Sequence, residues 1–221
     1  MPSTTQTALD ILVVDDHEAI LSGTLQTLEK RYPDATVSTA ISAKEVRTLL
    51  EKKRPDVLIA DLDIPEERGG PSSIETGICL LRDLMRRYPE LNIAVQSAHI
   101  KSLVRLKPTV DVHQGGFTIA DKSLPIEDML TKVDWALSGV VYIPRDMRNG
   151  LEMRPEWLEM LRHAFQVGLQ DKAIAREMNI AERTVRNYWT RVQDALNIYP
   201  EAGKNMRIQT EIRAREEGLI D

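Results

Sequence analysis

The sequence predicts two folded parts: a doubly wound α/β domain on a five-stranded parallel sheet, then a small all-α domain. Three observations carry this. Short apolar runs alternate with helical patterns along the first part of the chain. Two of those runs, 11–14 and 57–60, end directly in acids, Asp15-Asp16 and Asp61. Beyond residue 155 apolar residues recur only at helical spacing.

Residues 10–15 read as the first strand. Residues 17–31 follow with Ile20, Leu21, Leu25 and Leu28 at helical spacing, and Tyr32-Pro33-Asp34 ends that helix. Residues 35–40 make a second strand, and Ser42 caps a helix whose inner face holds Val46, Leu49 and Leu50. The third strand, 57–60, is apolar at every position, as a strand buried on both faces must be. A polar loop, 66–73, comes next; Ser72 with Glu75 three residues later fits a capping box, opening a helix through Leu80, Leu81, Leu84 and Met85. Residues 91–96 form strand four, ending at Ser97. A less regular stretch, 99–116, leads to strand five at 117–120, ending at Asp121-Lys122. Pro125 suits the start of a last helix, 126–137. Right-handed crossovers then give the doubly wound sheet.

The chain of 221 residues is 42 % hydrophobic and 29 % charged, so a soluble globular protein is expected. No apolar run approaches a membrane span, so no membrane partner is expected. The single cysteine, Cys79, forms no intramolecular disulfide, fits a reducing cytoplasm, and falls in an apolar helical pattern as a buried small residue. Residues 1–7 lack the basic and apolar regions of a signal peptide and read as a disordered lead-in. His17, His99, His113 and His163 lie far apart, without metal-ligand spacing.

If the first and third strands are neighbours, Asp15, Asp16 and Asp61 converge at one edge of the sheet, where open α/β sheets bind ligands. An acid at a strand end often caps the next helix, which accounts for one of these carboxylates but not for three. Packed together away from water they repel unless a cation neutralises them, and oxygen-only ligands favour a hard ion such as Mg2+. The same edge collects Ser97 and Lys122. The chain has no GxGxxG and no GxxxxGK[ST], which argues against a dinucleotide or nucleoside triphosphate site.

Asp15-Asp16, Asp61 with Pro65, Ser97-Ala98 and Lys122 match, in order and in strand position, the signature of the receiver domain of two-component response regulators, and residues 10–138 resemble that flavodoxin-like domain. The resemblance implies that Asp61 is the phosphoacceptor. It implies that Asp16, Asp61 and the backbone carbonyl of Asp63 hold Mg2+, with Asp15 helping directly or through water. It implies that Ser97 and Lys122 contact the phosphoryl oxygens. Two features depart from the family: the loop between Asp61 and Gly77 is longer than usual, and Ile119 stands where an aromatic switch residue is usual, with Phe117 two residues early.

Residues 139–154 read as a linker punctuated by Pro144 and Asn149-Gly150. Beyond it, a short helix at 172–178, a turn at Asn179 and a longer helix at about 182–196 form a helix-turn-helix pattern. In the longer helix Val185, Trp189, Val192 and Leu196 share one face; Arg183, Arg186, Asn187, Thr190 and Asp194 occupy the other. Arginine and asparagine pair bidentately with guanine and adenine edges. Gly168-Leu169, Ile174-Ala175, Ile180, 184–187, and the closing 213–216 with 218–220 resemble the LuxR-type four-helix DNA-binding domain. Gln170 and Ala181 stand where that family places Ser or Thr caps. Residues 151–221 carry 11 Lys and Arg against 12 Asp and Glu, so this part relies on a local arginine cluster, and on dimerisation, for affinity.

The domains expected are therefore 8–138 for the receiver, 139–154 for the linker and 155–221 for the helix-turn-helix domain. The function these resemblances imply is a cytoplasmic, DNA-binding transcriptional regulator. A sensor histidine kinase phosphorylates Asp61, and a homodimer reads double-stranded DNA in the major groove through Arg183, Arg186, Asn187 and Thr190. The alternative is a receiver acting as an interaction module or phosphate sink, without sequence-specific DNA binding. An enzyme beyond receiver self-phosphotransfer and autodephosphorylation is not expected.

Overall fold

A computed structural model describes residues 8–144 and 153–221. The expected lead-in at 1–7 and the Asn149-Gly150 punctuation lie outside the described residues. The chain divides into two compact units: Met1–Ile100 with Thr109–Pro144, and Lys101–Pro108 with Arg145–Asp221.

In the first unit the order is β1 (Asp10–Val14), α1 (Glu18–Arg31), β2 (Thr36–Ala40), α2 (Ala43–Lys52), β3 (Val57–Ala60), β4 (Ile64–Pro65), β5 (Ser72–Ser73) and α3 (Ile74–Arg87). Then come β6 (Asn92–Ser97), β7 (Phe117–Asp121), α5 (Ile126–Leu137) and β8 (Val141–Tyr142); α4 (Lys107–Val110), whose first two residues fall in the second unit, precedes β7. All pairings in the main sheet are parallel, in the order β2-β1-β3-β6-β7-β8. This is the doubly wound order whose switch point lies between β1 and β3. The residues of β3 and the last four of β1 are almost wholly buried, as strands covered by helices on both faces require. Ser42 caps α2, its hydroxyl accepting from Glu45 N at 3.4 Å. α5 spans the residues expected of it.

The sheet has one strand more than expected. Val141–Tyr142, read as linker, pairs with Phe117 and Thr118 at the edge. Its β-branched and aromatic residues suit a strand, but two residues are too few to show a period. A buried lysine anchors it: Lys132 Nζ lies 4.2 Å from the Trp135 ring centroid and 4.1 Å from that of Tyr142, with Asp128 Oδ1 at 3.3 Å.

The segment after Asp61 is a small hairpin, in which Ile64 opposes Ser73 and Pro65 opposes Ser72. α3 then packs directly against its base. A methyl group at Gly77 would lie 2.2 Å from the Leu62 carbonyl oxygen, so only glycine permits this approach. The capping expectation shifts by one residue. Ser73, not Ser72, caps α3, its hydroxyl accepting from Glu75 N at 3.2 Å. The hairpin pairing holds Ser72 in β5, one residue too early to be a cap.

The second unit holds α6 (Pro155–Phe165), α7 (Asp171–Glu177), α8 (Glu182–Ala195) and α9 (Met206–Glu216). Leu161, Ile174, Val185, Trp189, Val192, Leu196 and Ala214 form its core. Asn179 takes the left-handed conformation expected of it, with φ 53°, and Ile180 N donates back to Ala175 O at 2.9 Å. Neither Gln170 nor Ala181 makes a side-chain cap. Asp171 compensates from the first turn of α7. It accepts from Trp189 Nε1 at 3.0 Å and from Arg207 Nη2 at 2.8 Å on both oxygens, while the guanidinium lies 3.7 Å above the Trp189 ring. One carboxylate thereby ties α7, α8 and α9 together. The segment Lys101–Pro108 joins this unit through Arg105, which donates to Gly218 O at 2.8 Å and pairs with Asp221 at 2.5 Å. No described helix is long and apolar enough to cross a membrane.

In the first unit, burial holds the His113 imidazole below the usual histidine range, despite a 2.8 Å contact from Nε2 to Leu91 O. Its Nδ1 is buried without a partner. The folded state thus favours the neutral ring, and the unfolded chain takes up a proton first. The stability from the neutral ring is complete above the ordinary histidine pKa and declines as pH falls below it. Between pH 7.5 and 5.5 the melting temperature of the parent is expected to fall more than that of His113→Gln, measured by circular dichroism; equal falls contradict this.

Candidate functional site

Strand register builds the site. Asp61 N donates to Val14 O at 3.0 Å, which fixes the end of β3 beside the end of β1 and brings Asp61 next to Asp15. On the other side Ser97 pairs with Asp121 across β6 and β7, and Lys122 N donates to Ser97 O at 3.2 Å. The four strand ends therefore place Asp15, Asp16, Asp61, Ser97 and Lys122 along one edge, as the sequence predicts.

The carboxylates are held by a lysine. Lys122 Nζ donates to Asp15 Oδ2 at 2.6 Å and to Asp61 Oδ2 at 2.7 Å. Asp15 and Asp61 are 4 % and 5 % exposed, so these charges are largely out of water and need this partner. Burial by itself would lower the Lys122 pKa; hydrogen bonds and charge from the two aspartates outweigh it and hold the ammonium above the usual lysine range. Asp61 Oδ1 accepts from Leu62 N at 2.7 Å, and Asp15 Oδ1 from His17 N at 2.8 Å, which orients both carboxylates.

Ligand atoms of Asp15, Asp16, His17 and Asp61 all lie within 4.8 Å of one another. Asp16 Oδ1 is buried beside the His17 imidazole. Carboxylate oxygens concentrated in this way are a donor set that fits a hard divalent cation. The Asp63 carboxylate is not in this group; the contribution expected of that residue is its main-chain carbonyl, in the turn between β3 and β4. His17 was not expected here, because histidine spacing along the chain shows no ligand pattern. Its Nδ1 lies 2.8 Å from Asp16 Oδ1, and its position directly after the acid pair is the only signal in the sequence. Ser72 was also missed as a site residue: its hydroxyl donates to Asp16 Oδ2. Ser97 is fully buried, and its hydroxyl accepts from His99 N at 3.2 Å. Ile119 and Phe117 are both buried in β7.

In the second unit Arg183, Arg186, Asn187 and Thr190 are all exposed on α8, opposite the buried Val185, Trp189 and Val192. Arg186 reaches Glu182 at 3.5 Å, an exposed pair weak enough to be exchanged for another partner.

Comparison with known proteins agrees with this geometry. The family model for the response regulator receiver domain matches residues 11–134, and that for bacterial regulatory proteins of the luxR family matches residues 158–200. The chain belongs to the response regulators, with a receiver domain followed by a LuxR-type helix-turn-helix domain. Among its relatives, the transcriptional regulatory protein YdfI of Bacillus subtilis is 22 % identical, with 95 % of this chain and 97 % of YdfI covered. The transcriptional activator DevR/DosR of Mycobacterium tuberculosis is 25 % identical, with 93 % and 94 % covered. RcsB of Salmonella enterica serovar Typhimurium, solved bound to the promoter rprA with the phosphomimetic BeF3−, shares the fold with a TM-score of 0.60 at 21 % identity, covering 94 % of this chain and 98 % of that one.

Removing the lysine isolates two buried carboxylates. Lys122→Met is expected to destabilise the receiver by about 3 kcal/mol in denaturant unfolding, with part of the loss recovered by millimolar Mg2+. A variant as stable as the parent would show that the aspartates do not depend on Lys122.

Proposed function

We propose that the protein is a transcriptional regulator switched by phosphorylation of Asp61, with a sensor histidine kinase as donor. The observation that carries this reading is Lys122 Nζ held between Asp15 and Asp61, because it pairs a nucleophilic carboxylate with a cation placed for phosphoryl charge. An Asp61 oxygen attacks phosphorus in line; the new P–O bond forms as the donor's P–N bond breaks, and the product is an acyl phosphate. Asp15, Asp16, Asp61 and the carbonyl of Asp63 would hold Mg2+, which supplies neutralisation of the phosphoryl oxygens. Lys122 shifts from its carboxylate partners toward the phosphoryl group, and the Ser97 hydroxyl turns to it. That rearrangement favours one conformer of the receiver and passes the signal to the remainder of the chain.

The output is sequence-specific DNA binding in the cytoplasm by a homodimer. A receiver of 8–138, extended by β8 at Val141–Tyr142, and a helix-turn-helix domain of 155–221 divide these tasks. Support comes from the exposed arginine face of α8, from a relative described as a DNA-binding transcriptional activator, DevR/DosR, and from RcsB, solved as two dimers bound to two parallel DNAs. Arg186, Asn187 and Thr190 face base edges, and Arg183 at the start of α8 meets a phosphate.

Asp61→Asn is expected to abolish labelling by acetyl phosphate with Mg2+, read by intact mass; full labelling of that variant overturns the assignment. Arg186→Ala is expected to lose about 1–3 kcal/mol of discrimination for the operator against random DNA in gel shifts. Arg183→Ala is expected to weaken all sequences alike and to lower the salt slope by about one. Unchanged operator affinity in Arg186→Ala would favour the receiver as an interaction module.

A further inference from the structure

The segment between β3 and α3 does more than span a gap. It leaves Asp61, buries Leu62 and Ile64, forms the β4–β5 hairpin and returns to α3 at Ser73. Its tip is exposed but fastened to α2 by three crossed ion pairs: Lys44 with Glu67 at 2.8 Å, Arg47 with Glu66 at 2.5 Å, and Arg68 with Glu45 at 2.9 Å. Lys44 N adds a bond to Glu66 O at 3.0 Å. Each exposed pair alone contributes little, but a network anchored by a backbone bond fixes the hairpin's position.

That position brings Ser72 to Asp16. The serine hydroxyl donates to Asp16 Oδ2, and the other oxygen, Oδ1, is buried with His17 Nδ1 2.8 Å away. A carboxylate held by one oxygen cannot rotate freely, so the bond limits how Asp16 can turn within the acid cluster. Outer partners that orient a ligand in this way commonly set cation affinity.

We propose that Ser72 is a positioning residue of the phosphorylation site: delivered by the hairpin clamped on α2, it holds Asp16 so that Oδ1 faces the divalent cation. This rests on the reading of Asp61 as phosphoacceptor. The insertion therefore tunes the cation affinity of the receiver, and with it the yield of phosphorylation at limiting Mg2+. Neither Ser72 nor the hairpin tip touches the reacting carboxylate of Asp61 in this arrangement; they act through Asp16.

The test uses the full chain. Mg2+ affinity is measured by isothermal titration calorimetry for the parent, Ser72→Ala, Ser72→Thr and the clamp variant Lys44→Glu/Arg47→Glu, with labelling by acetyl phosphate across a Mg2+ series in parallel. Ser72→Ala is expected to bind Mg2+ about tenfold more weakly and to need correspondingly more Mg2+ for half-maximal labelling, while reaching the same final stoichiometry. Ser72→Thr, which keeps the hydroxyl, is expected to restore the parent affinity. The clamp variant is expected to weaken binding in the same direction, and to add nothing once Ser72 is alanine. Metal-free melting of Ser72→Ala is expected to match the parent, since Ser72 is exposed and leaves no cavity. Unchanged or tighter Mg2+ binding in Ser72→Ala, in a parent that binds Mg2+ and loses its label in Asp61→Asn, overturns this inference alone. A parent that binds no Mg2+, or an Asp61→Asn variant that still labels, overturns the phosphoacceptor reading and this one with it.

Discussion

Two carboxylates and one ammonium, nearly enclosed at the ends of three parallel strands, set the terms for the receiver. Lys122 Nζ lies within 2.7 Å of both Asp15 and Asp61. The pairing is possible only because the register of β1, β3, β6 and β7 brings their ends level. Taking such charges from water is costly, and the geometry must be good for mutual attraction to offset it. The arrangement also leaves a cation with two partners between which its weight can shift. A site held by a movable charge responds to an added phosphoryl group more readily than one closed by apolar packing.

Most of this was legible in the chain itself. The runs of 11–14 and 57–60 carry no polar residue, and a strand of that kind must be central; acids directly after such strands must meet at the sheet edge. Residues whose role depends on non-local placement were not legible. Ser72 fits a capping pattern with Glu75, and only the hairpin pairing of Pro65 with Ser72 shows that it faces Asp16 instead. His17 looks isolated because ligand spacing is sought among like residues, whereas its neighbours here are the two acids before it. Val141–Tyr142 reads as linker in the sequence because two residues cannot display an alternation.

The helix-turn-helix unit shows the same division. Its core and the turn at Asn179 follow from periodicity and from the tolerance of asparagine for the left-handed region. What replaces the missing caps does not. Asp171, Trp189 and Arg207 are far apart in sequence, and their joint contact depends on three helices being in place. A planar guanidinium that both stacks on an indole and grips a carboxylate fixes angle as well as distance, so the presentation of α8 is set from behind by a polar clasp as well as by apolar packing.

The closeness of α3 to Leu62 carries a consequence for variation. No side chain fits at Gly77, where the first added carbon would meet backbone rather than a yielding side chain. That position has no chemistry of its own, yet its replacement displaces the peptide next to Asp61. Damage there and damage to the acid would be hard to tell apart by phenotype. In a mutational survey of this chain, such a glycine belongs with the architecture that keeps β3, the hairpin and α3 in register, and its intolerance measures how little slack the backbone has beside the site.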